Sequence, residues 1–127
     1  MARRPRLTPQ ELEIMQIVWA RGAVTVRDVY EALRARRPVA YTTVLTMLRV
    51  LARKGHVRVD RTSRAHVYRP AHSRHRVIAQ LVREFVDRVF GGAAEPLVQH
   101  LVRDGRLSEE DLRALLRRLK DPAPRQE

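Results

Sequence analysis

The stretch HVRVDRTSRAHVYRP, residues 56–70, restricts the possible folds more than any other, because the hydrophobic period changes where it begins. Upstream, from about Thr42 to Lys54, apolar residues recur at the three-to-four spacing of a helix, and Gly55 stands where such a helix would end. Downstream, apolar and charged residues alternate, as in strands with one covered face. Two strands are predicted, Val57 to Arg61 and Ala65 to Arg69, about a turn at Thr62 and Ser63.

Two earlier helices are legible. Thr8-Pro9-Gln10-Glu11 joins a capping hydroxyl, a proline at the first helical position and a glutamate three residues after the cap. Leu12, Met15, Val18 and Trp19 then recur at helical spacing up to Gly22. Ala23-Val24-Thr25-Val26 is short and β-branched, and reads as a strand feeding a second helix capped by Thr25. That helix carries Val26, Val29, Tyr30 and Leu33 on one side, with Pro38 as its stop. The order helix, short strand, helix, helix, hairpin is that of a winged helix-turn-helix.

Beyond Ser73 a long helix is predicted to Phe90, with Val77, Ile78, Leu81, Val82, Phe85, Val86, Val89 and Phe90. This apolar stripe is wider than a surface helix needs against one small domain, and points to a partner helix. Gly91-Gly92 break it. Leu97, Val98, Leu101 and Val102 mark a short helix ending near Gly105, and Ser108 with Asp111 caps a last one bearing Leu112, Leu115, Leu116 and Leu119. The expected fold class is mainly α with a small β-hairpin. A winged helix-turn-helix domain at 1–72 precedes a C-terminal helical dimerisation region at 73–120 and a flexible tail at 121–127.

Charge narrows the function. The chain holds 26 Lys plus Arg against 14 Asp plus Glu, and all but two of the basic residues are arginine. Residues 1–72 carry 15 basic and 5 acidic side chains, net +10, and the remainder only +2. Arginine's planar fork suits phosphates and guanine edges, so the first part faces a polyanion. Arg3, Arg4 and Arg6 read equally as a basic arm or as an unstructured start.

The helix near residues 42–54 says where the polyanion would lie. On a helical wheel Val44, Leu48 and Leu51 share one side, flanked by Leu45 and Ala52, and form the core face. On the opposite side Thr42, Thr46, Arg49 and Arg53 fall within roughly 60° of one another. Threonine loses rotamer freedom in a helix, so the hydroxyls serve something other than helix stability. Threonine can touch a thymine methyl while its hydroxyl bonds a base edge, and arginine reaches guanine or backbone. In a helix-turn-helix the second helix enters the major groove with its N-terminal residues against bases, and here the threonines hold that end. Thr43 lies off this line, near Met47, and suits a phosphate contact at the helix start. Arg58, Arg61, Arg64 and His66 around the hairpin tip would lie along phosphates, setting affinity rather than sequence choice.

The chain resembles the penicillinase-repressor (BlaI/MecI) family of bacterial transcription regulators. The likeness is carried by LTPQELEIMQIVWARGAVTVRDVYEAL, AYTTVLTMLRVLARKGHVRVDR, the VYRP that closes the wing, and VFGGAAEPLVQHLVRDGRLSEEDLRALLRRL. It implies a homodimeric winged-helix repressor that binds a palindromic operator, with double-stranded operator DNA and a second copy as partners. Thr42, Thr43, Thr46 and Arg49 match the family's operator-reading helix, and Arg61 to His66 its wing. The C-terminal helices would form the dimer, through Val77, Ile78, Leu81, Val82, Phe85, Val89, Leu97, Leu101, Leu112 and Leu116. In antibiotic-responsive members a membrane sensor protease cuts an Asn-Phe bond. The matching region here reads LVQHLV, with His100-Leu101 as counterpart, and the sequence has no asparagine.

Enzyme chemistry finds no foothold. Ser63, Ser73 and Ser108 sit at turns or caps, where serine serves the backbone. Phosphate loops and paired-histidine zinc motifs are missing, and Glu109, Glu110 and Asp111 suit a first helical turn. His72 and His75 are the nearest thing to a metal pair and lack a third ligand, so neither metal nor cofactor is expected. The sequence has no cysteine, no secretory pattern at its start and no membrane-length apolar run, which suits a cytoplasmic protein. The competing expectation is a winged-helix adaptor that docks on another protein and binds nucleic acid incidentally.

Overall fold

Thr8 and Glu11 start the first helix reciprocally: Thr8 Oγ1 accepts the Glu11 N–H at 3.1 Å and Glu11 Oε1 accepts the Thr8 N–H at 2.9 Å. The computed structural model describes residues 6–120, so Arg3, Arg4 and the tail expected at 121–127 lie outside the described residues. Helix α1 (Pro9–Arg21) leads through Gly22, at φ +81°, to α2 (Val26–Arg34), which Thr25 and Asp28 cap in the same reciprocal way. Helix α3 (Tyr41–Arg53) starts behind Ala40, which offers no side-chain cap. Strands β1 (Val57–Asp60) and β2 (Val67–Pro70) pair antiparallel, with Val59 opposite Tyr68 and Arg58 opposite Arg69. Val24 joins them as a single residue, exchanging both backbone hydrogen bonds with Tyr68 at 2.9 and 2.7 Å.

One core holds these elements together. Ile14, Met15, Ile17 and Val18 of α1 meet Val29 and Leu33 of α2, Val44, Leu48 and Leu51 of α3, and Val24, Val57 and Tyr68 from the sheet. The buried face of α1 is therefore set by Ile14 and Ile17 beside Met15 and Val18. Leu12 and Trp19, expected there, are only half-buried. Trp19 lies at the margin, where its indole N–H donates to the His72 carbonyl at 3.1 Å. Two ion pairs fasten the helices. Lys54 Nζ meets both Glu11 carboxylate oxygens at 2.9 and 3.0 Å, and Arg37 meets Glu13 at 2.6 Å. Lys54 also donates to the Arg6 carbonyl, which ties residue 6 beside the end of α3.

Several expected boundaries shift, and the strand expected at residues 23–26 is reduced to the single bridging residue Val24. Helix α2 ends at Arg34, before Pro38 can act, because the Arg36 and Arg37 N–H groups both turn back to the Leu33 carbonyl. Strand β1 ends at Asp60 rather than Arg61, since the Asp60 carboxylate takes the Thr62 N–H and hydroxyl at 2.9 and 2.7 Å and turns the chain. The Ser63 hydroxyl then donates to the Ala65 carbonyl, so β2 begins at Val67, not Ala65. The wing tip is six residues long, 61–66.

The chain divides into two compact units, Met1–Arg74 and His75–Glu127. Beyond the first, α4 (Arg74–Phe90) ends at Gly91-Gly92, where the Gly92 N–H reaches back to the Val86 carbonyl. Helix α5 (Glu95–Arg103) follows. Helix α6 (Glu109–Lys120) is capped by Ser108 and Asp111, with acids in its first turn and basic residues in its last.

Candidate nucleic-acid interface

Helix α3 presents opposite sides to core and solvent. Val44, Leu48 and Leu51 are fully buried, while Thr42, Thr43, Thr46, Arg49 and Arg53 are exposed. Its outer side therefore carries hydroxyls at the start and guanidinium groups further along, on an element fixed from behind by the core and at its C-terminal end by Lys54.

Two open grooves run between α3 and the wing. One, about 390 Å³, is bordered by Arg49 and Arg53 of α3 and Arg61 of the wing, over a floor of Ala52, Val59 and Tyr68. The other, about 410 Å³, lies toward the start of α3, between Tyr41 and Leu45, the first turn of α2 with Thr25 and Arg27, and the wing residues Arg64 and His66. The structure thus divides the expected contact residues into sets. Arg49, Arg53 and Arg61 share one groove, and Arg64 and His66 share the other. Thr42, Thr43 and Thr46 line neither and stand on exposed parts of α3.

Arg27 and Tyr41 were not singled out by the sequence pattern. No periodicity within one element marks them, because the groove they line is built from three. One local signal existed: α3 starts on Ala40 without a capping side chain, whereas α1 and α2 each begin with a threonine box. Tyr41 is held edge-on against Tyr30, their ring centroids 5.5 Å apart, and the Arg34 guanidinium lies 5.6 Å from the Tyr30 ring centre.

The acids of this part are engaged elsewhere. Glu11 pairs with Lys54, Glu13 with Arg37 and Glu31 with Arg34, while Asp28 caps α2 and Asp60 turns the wing. Hydrogen bonds from Thr62, with Arg69 nearby, hold the Asp60 carboxyl below the usual range. Among the described residues no ion pair to a carboxylate is made by Arg27, Arg49, Arg53, Arg58, Arg61 or Arg64. The face therefore carries a net positive field, suited to draw in and hold a polyanion. No group of three or more His, Asp or Glu among the described residues could hold a metal ion.

The second unit carries the other expected set. Val77 is buried, and Ile78, Leu81, Leu97, Leu101 and Leu112 are half-buried. Val82, Phe85, Val89 and Leu116 are exposed, as are Val102, Leu115 and Leu119, which the expected set omitted.

Comparison with known proteins bears on both units. The sequence profile described as penicillinase repressor matches residues 7–121. The chain is 39% identical over 121 residues to the transcriptional regulator BlaI of Mycobacterium tuberculosis, spanning 94% of this chain and 86% of that protein. It is 25% identical to the penicillinase repressor of Bacillus licheniformis, over 95% of this chain and 94% of that one. Among solved structures, the DNA-binding domain of the repressor BlaI superposes with a TM-score of 0.52 at 27% identity, covering 58% of this chain and 90% of that domain. The monomeric form of Bacillus licheniformis BlaI in complex with the blaP half-operator gives 0.50, with the same identity and coverage. With a profile match from residue 7 to residue 121 and a relative of this identity along nearly the whole chain, the protein belongs to the penicillinase repressor family.

Proposed function

We propose that this chain is a homodimeric, sequence-specific transcriptional repressor that reads a palindromic operator with α3 and braces its wing against the neighbouring phosphates. The family is one of transcriptional repressors and not of enzymes. The observation that carries the reading is the groove bordered by Arg49, Arg53 and Arg61, on a helix that also exposes Thr42 and Thr46 and whose other side is core. Thr42, Thr46 and Arg49 read bases, Thr43 meets a phosphate at the helix start, and Arg53, Arg61, Arg64 and His66 hold the backbone. The related repressor bound to a half-operator supports DNA as the partner. The apolar side chains left exposed on α4, α5 and α6 support a second copy as the other.

Such a regulator works in the cytoplasm, and no helix among the described residues is long and apolar enough to cross a membrane. Release by cutting an Asn-Phe bond is not part of the proposal, since the sequence contains no asparagine. A membrane protease encoded beside this gene would return a sensor protease to the list of partners.

Selection of genomic fragments by the purified chain tests the reading. Enriched fragments should share inverted half-sites and bind two protomers, and the logarithm of their affinity should fall linearly with the logarithm of salt concentration. Recovery of no preferred site would overturn it and favour the protein-docking adaptor.

A further inference from the structure

We infer that Arg27 of α2 and Tyr41 of α3 join Arg64 and His66 of the wing tip in a seat for one backbone phosphate of the bound duplex. The inference rests on the DNA-binding reading above and adds two residues to it. Three elements far apart in sequence bring these side chains around one groove of about 410 Å³. Its lining supplies two guanidinium groups, an imidazole, the phenols of the exposed Tyr41 and the buried Tyr68, and the Thr25 hydroxyl, and no carboxylate. The acid nearest along the chain, Asp28, is engaged in the α2 cap, where it accepts the Thr25 N–H at 2.9 Å. Donors gathered without an acid suit an anion, and a guanidinium group presents the paired N–H fork that fits phosphate oxygens.

The groove also has the right neighbours for a duplex. Tyr41 begins the helix whose next residue, Thr42, starts the proposed base-reading line, so a strand crossing the start of α3 would lie over the seat. Tyr41 is 42% exposed, yet Tyr30 supports its ring from behind. A contact here would fix how deeply and at what angle α3 enters the groove. Arg27 and Tyr41 are therefore positioning residues for the operator, without a base of their own to read.

The test uses the full chain and a labelled duplex carrying the selected site, titrated across a range of salt concentrations beside a random duplex. Arg27→Ala should weaken both duplexes alike and flatten the double-logarithmic salt slope by about 0.9, the share of one phosphate contact. Arg27→Lys should restore the slope. Tyr41→Phe should weaken binding about tenfold, as loss of a hydrogen bond to a charged acceptor does, and leave the slope unchanged because no charge is lost. Phosphate-ethylation interference then decides whether the seat is shared. The same modified phosphate that blocks the wild type should cease to matter for both Arg27→Ala and Arg64→Ala. Different phosphates for these two variants, an unchanged slope for Arg27→Ala, or a loss confined to the selected duplex would each overturn the seat. A wild-type protein with no salt-dependent affinity for any duplex would instead remove the DNA-binding reading itself.

Discussion

Glu11 is engaged by two elements at once, since it closes the cap of α1 and receives Lys54 from the end of α3 on both carboxylate oxygens. Burial by itself raises its pKa, but the hydrogen bond and charge of Lys54 and the bonds with Thr8 outweigh it and hold the carboxyl below its ordinary 4.5. A carboxyl depressed in the folded state stabilises the fold above its unfolded pKa, and that contribution is lost as pH falls through the folded value. Glu11→Gln should therefore lower the urea midpoint at pH 7, with a deficit that shrinks below pH 4.5 as the wild type itself loses the ion pair. Lys54→Met, which leaves the nearly buried Glu11 without its ion-pair partner, should cost about 2 kcal/mol at neutral pH, less than the loss of a fully buried pair because Lys54 is partly solvated. A deficit for Glu11→Gln that stays constant with pH would place its contribution in packing and not in charge. On the outer side of α3, Thr46→Ala and Arg49→Ala should each cost about 1–3 kcal/mol on the selected operator and much less on random DNA. Equal losses on both duplexes would assign the residue to the phosphates. The line of Thr42, Thr46, Arg49 and Arg53 was legible in the sequence because a single helix contains its whole period. Arg27 was not, because its neighbours in the groove come from α3 and the wing.

Elements were legible where the chain carries its own stop and start signals. The threonine boxes of α1 and α2 and the serine box of α6 are local hydrogen-bond patterns within four residues, so sequence contains all the information needed to place them. Strand ends were less legible, because Asp60 stops β1 by a side-chain turn that alternation alone does not announce. Pairing register was beyond the pattern as well, and it carries a cost that the sequence concealed. Arg58 and Arg69 stand directly opposite on the antiparallel ladder, and both are exposed. Like charges so placed repel, and an opposite-charge pair at the same register is favourable. Arg58→Glu should consequently stabilise the first unit by about 0.5–1 kcal/mol, read from the urea midpoint, and at the same time weaken DNA binding by removing a wing cation. Stability given up for a functional charge would show as movement of the two measurements in opposite directions. If the substitution weakened DNA binding without raising stability, solvent would be screening the pair and the wing would bear no such cost.

The two units differ in how their apolar residues are covered. In the first, α1, α2, α3 and the sheet share one core of fully buried side chains. In the second, Val77 is the buried hydrophobic residue among those described, α5 and α6 bury none, and Val89, Leu116 and Leu119 are 55%, 56% and 66% exposed. Rings do gather there: Phe85 lies edge-on to Phe90, and Phe90 lies 5.8 Å from His100 between ring centroids. Three amphipathic helices with so little buried surface leave much of the conformational entropy of ordering them without compensation from their own packing, and in the proposed dimer a second copy supplies it. The wide stripe on α4 was legible from spacing alone. Which of its members remain open was not, since that depends on Val77 being covered and on Val82, Phe85 and Val89 being left to solvent. A twofold pairing through these helices would place two copies of α3 in inverted relation, which is the symmetry a palindromic site has, with half-site centres about one helical turn or a multiple apart. Phe85→Glu or Leu116→Glu should then give monomers in sedimentation, melt α4 to α6 in circular dichroism while the first unit stays folded, and weaken the full operator far more than a half-operator. The wild type should melt at a temperature that rises with protein concentration, as for any fold linked to association. A dimer that survives both substitutions, or a melting temperature independent of concentration, would mean that the second unit is covered by some other surface.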